Sequence, residues 1–234
     1  MHLGSLLSQL MSKARLLAPA APAPAPPAPA PPPPPMDLAS RILRAMQRAG
    51  YAIAAGPDVL NIVYVEGMNP DGTGNDNAPN RFNDLRILIR VLDGRAAIAG
   101  IWEATTEPGR YFTEHPMNPK GAARVAFGAH ACWTVGEHHG HEALIQVAPI
   151  PVFRDYFRHY RREGAVDVGL FGINQHWGYD LPRDDLGRSS AGCLVGRARD
   201  GHREFMRLVK SDRRYLADRK SFRFPTVILP ASEV

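Results

Sequence analysis

The stretch LRILIRVL (85–92), Asp93–Gly94 and RAAIAGIWEAT (95–105) constrains the fold of this chain more than any other. Two apolar, β-branched runs joined by Asp-Gly form a hairpin, because a two-residue turn needs positive φ at both central positions and Asp-Gly tolerates it. More runs of the same character follow the pattern: NIVYVEG (61–67), EALIQVA (142–148), VGLFGIN (168–174) and FRFPTVIL (222–229). Helical periodicity is confined to two places. Asp37 caps a helix over 37–49, with Leu38, Ile42, Leu43 and Met46 on one face and Gly50 as its stop. Later, Asp200 caps GHREFMRLVKS, with Phe205, Leu208 and Val209 on the apolar face. Strands and helices do not alternate, which argues against a parallel α/β sheet. The expected class is mainly β, a β-rich α+β domain with two short helices.

Residues 18–35 read APAAPAPAPPAPAPPPPP and cannot build a core. Residues 1–35 are therefore expected to form a disordered Ala/Pro-rich tail or linker, and 36–234 a single domain whose β portion spans about 60–230. Ahead of the prolines, Lys13 and Arg15 follow a short apolar stretch instead of preceding it, the reverse of a secretory signal. No stretch approaches the ~20 apolar residues of a membrane span. The net charge of +5 is spread along the chain apart from arginine clusters at 154–162 and 197–223. No nucleic-acid motif accompanies it, so it is read as a solvated basic face.

Only two cysteines are present, Cys132 and Cys193, too few for a disulfide framework or a structural zinc site. Cys132, beside Trp133, reads as core. Cys193 stands in GRSSAGCLVGR (187–197), among small residues that let backbone N–H groups approach a substrate closely. His176 lies seventeen residues upstream, after a strand-like run. A cysteine nucleophile needs a base, a group that orients the base, and N–H donors for an oxyanion. His176 and Cys193 fit that set. They also fit a buried cysteine beside a satisfied core histidine, or a Cys132–Cys193 disulfide.

The run of strand, His176, loop, Ser190-Ala191-Gly192-Cys193-Leu194 and helix resembles the catalytic segment of the L,D-transpeptidase (YkuD-like) family of peptidoglycan enzymes. TTEPGRYFT (105–113) is similar to the turn that precedes that segment in the family. Trp177 stands where the family has a small residue, Ala191 where it often has histidine, and Val195 where arginine is expected, with Arg197 two residues on. The resemblance implies an L,D-transpeptidase-like β-sandwich or barrel with no cofactor and no metal. Its catalytic residues would be Cys193 as nucleophile and His176 as base. Trp177 would orient the histidine through its carbonyl, and the Gly192 and Cys193 N–H groups would hold the oxyanion. Ser190, Arg197 and Tyr179 would touch substrate. The implied substrate is the L,D amide bond of a peptidoglycan stem peptide. The thioester would pass to an amine (transpeptidation) or to water (carboxypeptidase or endopeptidase cleavage). An adjacent imidazolium would pull the thiol below the ~8.5 of a free cysteine. The implied location is the periplasm or cell wall, reached by export or by phage-type release, as for an endolysin.

Other readings compete. VGLFGINQHWGYD also resembles a run in lysozymes and lytic transglycosylases, which would make Glu163 a buried general acid on a helix formed by YFRHYRREG (156–164). A catalytically silent cell-wall-binding module is a third. His138, His139, His141 and Glu142 in VGEHHGHEAL could ligate zinc, but no further ligand follows at a recognisable spacing, and the segment is read as a polar hairpin turn. NPDGTGNDNAPNRFND is rich in oxygen ligands yet lacks a calcium-loop pattern, and is read as a long ordered loop.

Overall fold

The computed structural model describes residues 36–234, so the readings made for 1–35 lie outside the described residues. The chain opens with α1 (Leu38–Arg48), then β1 (Asn61–Glu66), β2 (Asp84–Leu92) and β3 (Arg95–Thr105). Next come α2 (Arg110–Glu114), β4 (Ala122–Val125), β5 (Gly128–His138), β6 (His141–Gln146), β7 (Ile150–Asp155) and β8 (Val166–Gly169). It ends with β9 (Gln175–Trp177), β10 (Leu194–Gly196), α3 (Arg199–Val209), α4 (Arg213–Ala217) and β11 (Phe224–Pro230). The protein is mainly β, but with four short helices among the described residues instead of two. The two unforeseen ones, α2 and α4, are single five-residue turns, too short to leave an apolar periodicity.

Eight strands close into a barrel in the order β1-β11-β5-β6-β9-β10-β3-β2, and β4-β7-β8 form a separate antiparallel sheet. Within the barrel the β1–β11 and β9–β10 pairs are parallel. The β2–β3 hairpin turns at Asp93 (φ 49°) and Gly94 (φ 75°), both left-handed, the geometry for which Asp-Gly is suited. His139 (φ 50°) and Gly140 (φ 74°) close the β5–β6 hairpin in the same way.

β1 is buried along its whole length. Ile62 and Tyr64 face the barrel interior with Leu88, Trp133, Leu194 and Phe205, while Val63 and Val65 face α1. Ile42, Leu43 and Met46 of α1 cover that outer face, together with Ile87, Ile89, Val227 and Leu229. Each such side chain contributes roughly 1.5–3 kcal/mol by leaving water. Asp37 caps α1, accepting from the Ser40 N–H at 3.0 Å. Asp200 does not cap α3: the cap position is Ala198, and Asp200 lies in the first turn, where its charge favours the helix dipole.

VGLFGIN is a strand only to Gly169. Beyond it the backbone is irregular, because the Gln146 side chain, not a neighbouring strand, accepts from the Phe171 and Ile173 N–H groups at 3.0 Å each. The loop at 68–83 is cross-linked by its own polar side chains, Asp71 with Thr73 and Asn69 with Thr73 and Asn75, and is tied to β1 by Asn77 with Glu66. Segment 156–164 is not a helix. Arg158 (φ 61°) and Tyr160 (φ 60°) are left-handed, and Asp155 accepts from the backbone N–H groups of His159 and Tyr160.

Candidate active site

β9 and β10 run side by side with Leu194 opposite Gln175 and Val195 opposite His176. Alternation along each strand then puts residues 174 and 176 on the same side as 193 and 195. Gln175 points the other way, into the barrel, where its Nε2 donates to Thr226 Oγ1 at 2.9 Å. His176 and Cys193 consequently line one cavity of about 590 Å³, along with Phe112, Ala123, His138, Arg154, Phe171 and Tyr179.

His176 is 3 % exposed, and its Nδ1 lies 2.9 Å from the Trp177 carbonyl oxygen. A carbonyl only accepts, so Nδ1 carries the proton and Nε2 keeps its lone pair. Burial holds the imidazole neutral, lowering its pKa to about 3, and His138, Arg86 and His202 add to the effect. The His138 ring centroid is 4.5 Å from that of His176. Asn174 Nδ2 donates to His138 Nδ1 at 3.0 Å, which fixes the lone pair there and the proton on Nε2.

Cys193 is half-buried and free, as is the buried Cys132, so no disulfide joins them. The Cys193 sulfur accepts from the Asn174 N–H at 3.4 Å and lies 3.6 Å from the Gly172 carbonyl. Burial raises the thiol to about 11, against a partial lowering by that N–H. The expectation of a thiol below the free-cysteine range is therefore not met. A neutral imidazole cannot stabilise a thiolate, and the resting pair is neutral thiol and neutral imidazole.

The loop before Cys193 is built by hydrogen bonds that the sequence did not disclose. Ser190 Oγ donates to the Cys193 carbonyl at 2.9 Å and accepts from the Gly192 N–H at 3.2 Å. Ser190 is fully buried, holds the loop, and is absent from the lining of the cavity. The Gly192 N–H is occupied within the loop, whereas none of these bonds uses the Cys193 N–H. Gly192 has φ 129°, and a Cβ there would sit 2.5 Å from the Ala123 carbonyl oxygen. The TTEPGRYFT turn docks on this loop, the Gly109 N–H donating to the Ser190 carbonyl at 2.9 Å.

Arg197 also departs from expectation. Its Nε donates to Glu103 at 2.6 Å, an acidic group it shares with Arg183, and it does not line the cavity. Tyr179 does line it, 41 % exposed. The Trp177 indole faces away, with Arg199 stacked on it at 4.3 Å and His141 edge-on at 5.4 Å. Glu163 is exposed, paired with His159 at 3.3 Å, and is absent from the lining of the cavity. It is therefore not a buried carboxyl on a helix, as the lysozyme-like reading expects, and it lines a separate cavity with Asp155 and Asp167.

Residue-by-residue reading missed His138, Asn174 and Arg154. His138 was visible only as part of a histidine-rich turn; the β5–β6 register swings it across to His176. No sequence signal marks Asn174 or Arg154. Among the described residues no helix is long and apolar enough to cross a membrane. No protein-family model, curated protein or solved structure matches this chain.

Proposed function

We propose that the protein is a peptidoglycan-modifying cysteine enzyme of the L,D-transpeptidase type, acting on stem-peptide amide bonds through a Cys193 thioester. The observation that carries this reading is the convergence of the Cys193 thiol and a tautomer-fixed His176 on one cavity at paired strand ends. The β-rich barrel with a helix shortly after the cysteine is consistent with the L,D-transpeptidase-like architecture.

The chemistry follows from the protonation states. With the thiol near 11 and the imidazole near 3, the resting pair is not a thiolate–imidazolium pair. The proton leaves sulfur for His176 Nε2 as the sulfur attacks the amide carbon, and the Trp177 carbonyl steadies the positive ring through Nδ1–H. The Cys193 N–H supports the oxyanion of the tetrahedral intermediate. Nε2 then protonates the leaving amine as the C–N bond breaks, giving the thioester. An amine or water completes the cycle by attacking it.

The test is digestion of purified sacculi, read by mass spectrometry of the released muropeptides. Altered stem peptides on intact glycan strands are expected, and they should vanish with Cys193→Ala. Anhydromuramyl or new reducing ends would overturn the reading, and binding to sacculi without any chemical change would leave a silent wall-binding module. Because the substrate lies outside the cytoplasm, the protein should reach the periplasm or be released by lysis. Fractionation of cells that express it would check this.

A further inference from the structure

Arg154 on β7 is the residue of the cavity whose bonding is least complete. Its side chain is 8 % exposed. The Nε donates to Asp167 Oδ2 at 3.2 Å, and the guanidinium lies 4.4 Å from the Phe171 ring centroid, itself part of the cavity wall. The Nη2 is buried and has no hydrogen-bond partner among the described residues. Leaving such a donor unpaired is costly, more so on a charged group, and an acceptor bound in the cavity would relieve that cost. Nor does Asp167 neutralise Arg154 alone, since it also faces Lys120 at 3.8 Å.

The rest of the cavity agrees in sign. Its lining contains Arg154 and Arg188 and no aspartate or glutamate. Arg188 is held over the Tyr111 ring at 3.7 Å, where its charge remains open to solvent and ligand. A planar fork with an unpaired edge, stacked and therefore preorganised, matches a carboxylate better than a neutral amide. We propose that Arg154 forms an anion subsite of the Cys193 cavity and binds a carboxylate of the substrate beside the bond under attack. The identity of that substrate rests on the reading given above, but the anion subsite itself does not. In a stem peptide the carboxylate has two sources: the C-terminal carboxylate beyond the scissile amide, or the side-chain carboxylate of the diamino acid.

The subsite is tested on the full chain by comparing alkylation of Cys193 with iodoacetate, which is anionic, and iodoacetamide, which is neutral, quantified on the Cys193 peptide. Arg154→Gln should lower the iodoacetate-to-iodoacetamide rate ratio about tenfold, the ratio cancelling any change in thiolate fraction, and Arg154→Lys should largely keep it. An unchanged ratio in Arg154→Gln would overturn the proposal. Should that variant fail to fold, the unmodified protein decides. N-acetyl-D-alanine should then slow iodoacetamide alkylation of Cys193 more than its amide does, and equal protection overturns the subsite. Stem peptides amidated at one or the other carboxylate separate the two sources: the amidation that lowers kcat/KM in the unmodified protein, but no further in Arg154→Gln, marks the group held. Turnover of none of them, with the alkylation ratio still dependent on Arg154, would remove the peptidoglycan reading and leave the subsite standing.

Discussion

Arg86 Nη2 donates to the His176 carbonyl at 2.9 Å from inside the barrel, where the arginine has no exposed surface. The same nitrogen reaches the Leu194 carbonyl at 3.3 Å, so one guanidinium ties together the backbones of the two strands that carry His176 and Cys193. Its other bonds go to Tyr64 Oη at 2.6 Å and His202 Nδ1 at 3.0 Å, all neutral partners, with the Phe205 ring 4.4 Å away. Charge is stabilised here by oriented dipoles and an aromatic face, without a carboxylate.

Replacing Arg86 with methionine should leave His202 Nδ1 and the His176 and Leu194 carbonyls without their donor in a dry interior, while Tyr64 keeps only its bond to Gln175. A loss of about 3 kcal/mol or more is expected, read as a fall in the urea midpoint with little change in slope. A midpoint within experimental scatter of the unmodified protein would mean that water or neighbours satisfy these groups without the arginine.

Histidine burial should make stability depend on pH. His202 accepts from Arg86 on Nδ1 and donates from Nε2 to the Glu142 carbonyl at 2.9 Å, so it must be neutral in the fold. Burial first, then Arg86, lowers its pKa from 6.5 to about 3. Between those values the unfolded chain binds a proton that the native state does not. The histidine's contribution is therefore complete above 6.5 and is lost as the pH falls toward 3, at about 1.4 kcal/mol per pH unit. His176 acts in the same direction. Asp84 opposes both: burial and the neighbouring Glu66 and Glu107 raise its pKa, so its contribution is complete at low pH and fades as the pH rises above the ordinary aspartate range. The slope difference between the unmodified protein and His202→Gln from pH 4 to 6 isolates one histidine, and should equal one proton. Parallel curves would refute the assignment.

Cysteine chemistry should follow access more than acidity. Burial raises both thiols, Cys193 to about 11 and Cys132 to about 12, but Cys193 opens on the cavity while Cys132 is 2 % exposed. Iodoacetamide should label Cys193 first, at a rate that climbs tenfold per pH unit through pH 7–9, as for a thiol with a high pKa. His176→Ala should abolish turnover yet barely change that labelling, since a neutral imidazole does not activate the thiol at rest. A plateau in the rate below pH 8 would show a preformed thiolate.

The loop before Cys193 offers the last prediction. Ser190→Ala removes the donor to the Cys193 carbonyl and the acceptor for the Gly192 N–H at a fully buried position. About 1–3 kcal/mol of stability should be lost. Gly192→Ala should be worse for activity than for folding, because the strained φ and the contact with the Ala123 carbonyl push the loop, and Cys193 with it, away from His176. Muropeptide turnover and thermal melts on both variants check this, and a fully active Gly192→Ala protein would contradict it.

Local chemistry determined much of the fold. Asp93–Gly94 determined its hairpin, since few other residue pairs accept two successive left-handed positions, and Asp37 with the spacing of Ile42, Leu43 and Met46 determined α1. The short β4, β9 and β10 have three or four residues each and leave no period to read; they exist because longer neighbours hold them. The candidate site divides in the same way. His176 and Cys193 stand out in the sequence because small residues and a strand edge surround them. Their shared face depends on a parallel register between β9 and β10, and pairings between distant segments are not written in either segment alone. Ser190 is bonded to backbone and Arg197 to a carboxylate, because a polar residue near a nucleophile can bind either as readily as substrate, and packing decides which. Arg154, His138 and Arg86 come from three other strands. Only barrel closure and the sheet packed beside it set a buried cation, a second imidazole and an unpaired N–H around one cysteine.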